Sequence, residues 1–156
     1  MAPPTNSNKC SSDSFIQSSL TKKILFSYIP LAGAASYQAF SLNVVNPKFL
    51  KSVFPNWHFG VTNALLLNAH LGVGLYLFSR PHMACSTHAM CPRVAYSVFG
   101  AVMFNFGSVL LWATAKTVVP PCTTARALFA LGSGAGLLWV GYRYVKMLDE
   151  NATRDV

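Results

Sequence analysis

No Asp or Glu occurs anywhere between Ser14 and Leu148. The four acids, Asp13, Asp149, Glu150 and Asp155, sit at the two ends of a 156-residue chain. A soluble domain covers its outside with charges of both signs, about a quarter of its residues. Here 10% of residues are charged and 53% are hydrophobic. Such a chain cannot give its helices a water-facing exterior, so its apolar surface must meet something other than water.

Four apolar runs fall at about 24–45, 57–78, 95–115 and 127–147. Each is roughly 21 residues, which at about 1.5 Å per residue matches the ~30 Å hydrocarbon layer. Backbone polar groups in lipid must pair within their own segment, so each run is expected to be a helix. The expected fold is an all-α integral membrane protein, a four-helix transmembrane bundle over 24–147. A polar, disordered N-terminal tail at 1–23 and a short polar C-terminal tail at 148–156 flank it. The first run is diluted by Pro30, Gln38 and Asn43, and Pro30 should kink its first two turns. Nothing upstream reads as a cleavable secretory signal, and the Ser-rich, Arg-free start only faintly matches a mitochondrial presequence.

With four spans, both termini and the second loop share one side. That side carries eight cations, Lys9, Lys22, Lys23, Arg80, Arg93, Arg143, Lys146 and Arg154. The opposite side carries four, Lys48, Lys51, Lys116 and Arg126. The positive-inside rule then places the termini in the cytosol, or in the matrix of a mitochondrion. The expected location is an intracellular organelle membrane, and the residues do not distinguish the endoplasmic reticulum from the mitochondrion. Tyr28, Tyr76, Tyr96, Tyr142 and Tyr144 would form one aromatic belt, with Trp57 and Trp112 at the other boundary. The sequon Asn151-Ala-Thr153 would stay out of the lumen and unmodified. Lys and Arg are scattered in ones and twos, so the net charge of +8 does not describe a nucleic-acid groove.

Polar residues inside the spans are the first candidates for a site. Asn63, Asn68 and His70 lie in the second run and Asn105 in the third. Asn63 and His70 are seven apart and share a helix face with Gly74, whereas Asn68 points elsewhere. Buried polar groups in lipid need partners, so they should face inward. They could line a small pore or transporter, but the plainer reading is hydrogen bonding between helices. An intramembrane carboxylate, which proton and cation carriers commonly use, is absent. His58 and His70 lie about 18 Å apart along one helix, which rules out a haem held by both.

The fourth run is dense in small residues. Ala130 with Gly134, and Gly132 with Gly136, are small-xxx-small pairs that let helix backbones approach closely. Partners are therefore expected to be the lipid bilayer and other membrane proteins, or a second copy. No cofactor is expected.

The segment RPHMACSTHAMCPR places His82, Cys85, His88 and Cys91 three residues apart. On an α-helix that spacing rotates the outer pair to opposite faces. On a 3₁₀ helix it spreads them about 18 Å. Neither suits one tetrahedral ion, so metal binding is disfavoured unless two copies meet. Cys85 and Cys91 are instead candidates for S-acylation beside the membrane. Cys122 lies on the opposite side, without a disulfide partner within the chain.

No P-loop, dinucleotide fingerprint, HExxH or Ser/His/Asp set is present, and scarce carboxylates remove most acid/base and magnesium chemistry. The leading expectation is a non-enzymatic membrane protein that works through helix packing. It would serve as an accessory subunit, assembly factor or organiser of an intracellular membrane complex. The alternatives are a small transporter or pore around Asn63, His70 and Asn105, and, behind it, a membrane redox or metal protein.

Overall fold

The computed structural model describes residues 24–80, 83 and 90–152, which are helical almost throughout and include no strand. A π-helical turn, Ile24–Tyr28, leads into α1, Ile29–Val45. Then follow α2, Pro47–Val53; α3, His58–Phe78; α4, Met90–Val118; and α5, Thr123–Ala152. The expected tail at 1–23 lies outside the described residues.

Prolines set most of these boundaries. Pro30 lies in the first turn of α1, and a π-helical turn leads directly into it, so the ladder changes its hydrogen-bond step where the proline supplies no N–H. Asn46 and Phe54, each ahead of a proline, have φ of −130° and ψ near 79° and 74°. The ring of the following proline excludes them from the helical region, so the chain breaks on either side of α2. Pro120 and Pro121 occupy the non-helical link between α4 and α5. α4 and α5 are 29 and 30 residues long, about 44 Å each, and overrun their apolar stretches at the ends.

Two of the described helices are long and apolar enough to cross a membrane, His58–Phe78 and Cys91–Val118. Only 11% and 22% of their most apolar windows are buried within the protein. A core helix of a soluble protein would have most of that surface covered by its neighbours. Here Leu67, Leu71, Phe99, Phe106 and Leu110 point outward. α1, with 17 residues, is about 26 Å long. α5 carries Arg126, Arg143, Lys146, Asp149 and Glu150, which lower its mean hydropathy.

α3 and α5 assemble chiefly on α1, and α4 packs chiefly on α3 and less on α1, whereas the sequence neighbours α4 and α5 approach each other at few points. The buried core is correspondingly small: Tyr37, Phe40 and Val45 of α1, Ala69 of α3, Trp112 of α4 and Ala130 of α5. Trp112 is fully buried and is therefore a core residue, not part of an aromatic belt. Its size fills the gap that the sparse contact between α4 and α5 leaves.

Candidate functional site

The α1 seam concentrates the polar chemistry of this molecule. On its α3 side, Gly33 meets Gly72 backbone to backbone. A Cβ placed on Gly33 would fall 2.5 Å from the Gly72 Cα. Glycine at both positions is what permits the crossing, because any larger residue would push the helices apart. One turn along, the Asn68 side-chain amide donates to Ser36 Oγ at 2.7 Å, and further on Asn43 donates to Thr62 Oγ1 at 3.0 Å. The paired positions rise along α1 as they fall along α3, so the two helices run antiparallel in one continuous register.

On the α5 side, Ser41 donates to the Ala130 carbonyl at 3.2 Å and shares its proton with the Gln38 carbonyl of its own helix. Gln38 Oε1 is buried without a conventional donor and lies against Gly134, where an added Cβ would come within 2.5 Å of it.

Tyr37 ties α1 to α4. Its ring stacks on Phe104 and tilts against Trp112 at centroid distances of 5.4 and 5.0 Å. Its hydroxyl donates to Ser108 Oγ at 2.7 Å, and Ser108 passes its own proton to the Phe104 carbonyl. The pattern repeats between α4 and α5. Trp112 Nε1 donates to Ser133 Oγ at 3.1 Å, and Ser133 donates to the Phe129 carbonyl. A serine on a helix can return its proton to the carbonyl one turn back and keep its lone pairs open. Each serine thereby becomes an acceptor for an aromatic donor on a neighbouring helix.

The polar residues that the sequence singles out are distributed among several seams. Asn68 faces α1, as described. His70 is half-buried; its Nδ1 lies 2.8 Å from the Leu66 carbonyl, and its ring meets the edge of Phe106 on α4. Asn105 is buried and donates to the Ala101 carbonyl of its own helix. Asn63 is exposed on the outer surface. Among the described residues, no hydrogen bond joins Asn63, His70 and Asn105.

The small residues of α5 divide between two faces. Ala130 and Gly134 are buried against α1, whereas Gly132 and Gly136 are exposed, with open space where a Cβ would stand. The glycines at the tightest crossing, Gly33 and Gly72, were not singled out from the sequence. The compact run LAGAAS at 31–36 is the signal that points to Gly33, because it clusters small residues on α1.

At the end where α3 stops and α4 begins, Arg93 donates from Nη2 and Nε to the Phe78 carbonyl at 2.6 and 3.2 Å. This satisfies an orphan acceptor at the α3 C-terminus with a positive charge, the sign that the helix dipole favours there. The same guanidinium lies 4.2 Å from the centre of the Phe78 ring. Arg80 stands 3.9 Å over the Tyr76 ring and pairs with Asp149 of α5 at 3.8 Å. The C-termini of α3 and α5 and the N-terminus of α4 therefore share one end of the molecule. His82, Cys85 and His88 lie outside the described residues. Cys91 is exposed, as is Cys122.

Cys122 precedes the first turn of α5. The Ala125 and Thr124 backbone N–H groups at that open helix end hold its thiol below its ordinary pKa.

No family model, curated protein or solved structure matches this chain.

Proposed function

We propose that this chain is a four-span membrane protein that acts through helix packing, as an accessory subunit, assembly factor or organiser of an intracellular membrane complex. In this reading α1 and α5 cross the bilayer beside α3 and α4, with the termini on the cytosolic or matrix side. The observation that carries it is the division of α5 into two small-residue faces. One is consumed by α1 within the chain, and the other, Gly132 and Gly136, stands open among outward-facing Leu128, Leu131 and Trp139. Lipid tails fill a groove between small residues poorly, whereas another helix can place its backbone there and gain close dispersion contact.

Three further features support the reading. The ends of α1 stay level with those of α3, as the Gly33–Gly72 and Asn43–Thr62 pairs require. Counted along the sequence, the side of the termini carries eight cations, Lys9, Lys22, Lys23 and Arg154 in addition to Arg80, Arg93, Arg143 and Lys146, against four on the other side. Many large apolar side chains of α3, α4 and α5, Leu67, Phe106 and Trp139 among them, face outward. The pore alternative draws less support, because Asn63 is exposed and Asn105 is bonded within its own helix.

The test is the double substitution Gly132→Leu and Gly136→Leu in the full chain, followed by native electrophoresis of detergent-solubilised membranes. The expected outcome is a smaller complex with unchanged protein level. A complex of unaltered size and composition sinks the proposal. If His70→Ala abolishes a measurable flux while assembly stays normal, the transporter reading replaces it.

A further inference from the structure

The connection between α1 and α3 presents apolar, aromatic and cationic side chains together. α2 is held to the body by Leu50, its one buried residue. At about 100° per residue, Phe49 and Val53 project to one flank of Leu50, while Lys48 and Lys51 project to the other. All four are exposed. Phe54 continues the apolar flank, and Trp57 and Phe59, each 76% exposed, stand at the head of α3. A helix with two exposed flanks of opposite character cannot satisfy both in bulk water or both in hydrocarbon. The boundary between headgroups and acyl chains satisfies each at once.

We propose that Pro47–Val53, with Phe54, Trp57 and Phe59, is a surface anchor lying in the headgroup layer of the bilayer. Phe49, Val53 and Phe54 enter the acyl boundary, Lys48 and Lys51 meet lipid phosphates, and Trp57 marks the depth. Three observations choose phospholipid as the occupant. The segment is continuous with α3, a helix long and apolar enough to cross a membrane. Its two lysines complement phosphate, and no acidic residue lies nearby in the chain to neutralise them. Trp57 is of the kind that collects at membrane boundaries, where an apolar ring and a polar N–H are both accommodated, and Phe49, Phe54 and Phe59 add the apolar area that such a segment buries at the acyl boundary. The inference rests on α3 spanning the membrane.

The experiment uses the full chain reconstituted in vesicles of phosphatidylcholine and phosphatidylglycerol. Tryptophan fluorescence is quenched by acyl chains spin-labelled near the headgroup or near the tail end, or by iodide in the water. The variant W139F reports Trp57, W57F reports Trp139, and the double variant supplies the background of buried Trp112. The expected result is that the shallow label quenches Trp57 most and iodide least, while the deep label quenches Trp139. In K48E/K51E and in F49S/V53S, lipid quenching of Trp57 falls severalfold and iodide quenching rises. If iodide reaches Trp57 and the lipid labels do not, while Trp139 remains quenched from the tails, the anchor is refuted and that face is free for a protein. If neither tryptophan responds to lipid labels, the membrane reading itself fails. Unchanged Trp57 quenching in F49S/V53S also overturns the proposal.

Discussion

Replacing Gly72 by alanine tests the tightest contact in the molecule. The added methyl group would lie 2.6 Å from the Gly33 Cα, and its nearest neighbours are backbone atoms that cannot rotate away. Non-bonded carbons rest at about 3.5–4.0 Å, so α1 and α3 must separate locally by about 1 Å. That gap forfeits dispersion along the seam and stretches the Asn68–Ser36 bond one turn away, which at 2.7 Å has little slack. Overpacking of this kind costs about 1–3 kcal/mol, and a bond between membrane helices adds about 0.6 kcal/mol. Alanine is the better helix former by about 1 kcal/mol, which offsets part of the loss. The net expectation for G72A is a destabilisation of about 2 kcal/mol. Gly132, with open space at the same position, supplies the control: G132A should be neutral or slightly stabilising. The assay is unfolding in mixed micelles with increasing sodium dodecyl sulfate, followed by the emission of buried Trp112 in a W57F/W139F background. G72A should unfold at a lower detergent fraction than the parent, and G132A should not. In G33A/G72A the two methyl groups occupy the same gap, so their combined cost should be smaller than the sum of the single costs. A G72A midpoint equal to or above the parent's would show that the backbones do not approach as described, and the argument would fall.

The other predictions concern single groups. Tyr37→Phe removes the donor to Ser108 while leaving both aromatic contacts, so it should cost about 1 kcal/mol in the same titration; no shift would mean the hydroxyl bond carries nothing. The thiolate of Cys122 is favoured by the helix end, so its alkylation by iodoacetamide should rise at a lower pH than in the detergent-unfolded chain. Because a depressed pKa enlarges the reactive anion fraction at neutral pH, the folded thiol should react faster there, and coincident pH profiles would contradict the assignment. The proposed orientation keeps Asn151 away from the glycosylation machinery, so translation into microsomes should yield no glycosidase-sensitive form. A mass shift at Asn151 would invert the topology.

Much of the helical layout was legible because its causes are local. Proline positions mark the ends of α1 and α2, and long apolar runs free of acids allow little besides helix. α2 itself was overlooked, since seven residues between two prolines show no sustained period. Trp112 was misplaced for a related reason. A tryptophan near a span boundary suits a belt or a core equally well, and only the shape of the gap beside Tyr37 and Ser133 decides. The same holds for the small residues of α5. Ala130, Gly132, Gly134 and Gly136 look equivalent in one dimension, yet two face α1 and two face outward.

What the sequence alone determines is a set of single-chain properties: helices, their approximate ends, and an exterior poor in charge. These follow from backbone hydrogen bonding and solvation, which act residue by residue. Which faces meet is a property of pairs. It depends on where a missing Cβ on one helix coincides with a missing Cβ on another, as Gly33 and Gly72 do, and on which serine stands opposite which aromatic donor. Only the folded arrangement brings residues from distant parts of the chain to the few ångströms at which those choices acquire an energy.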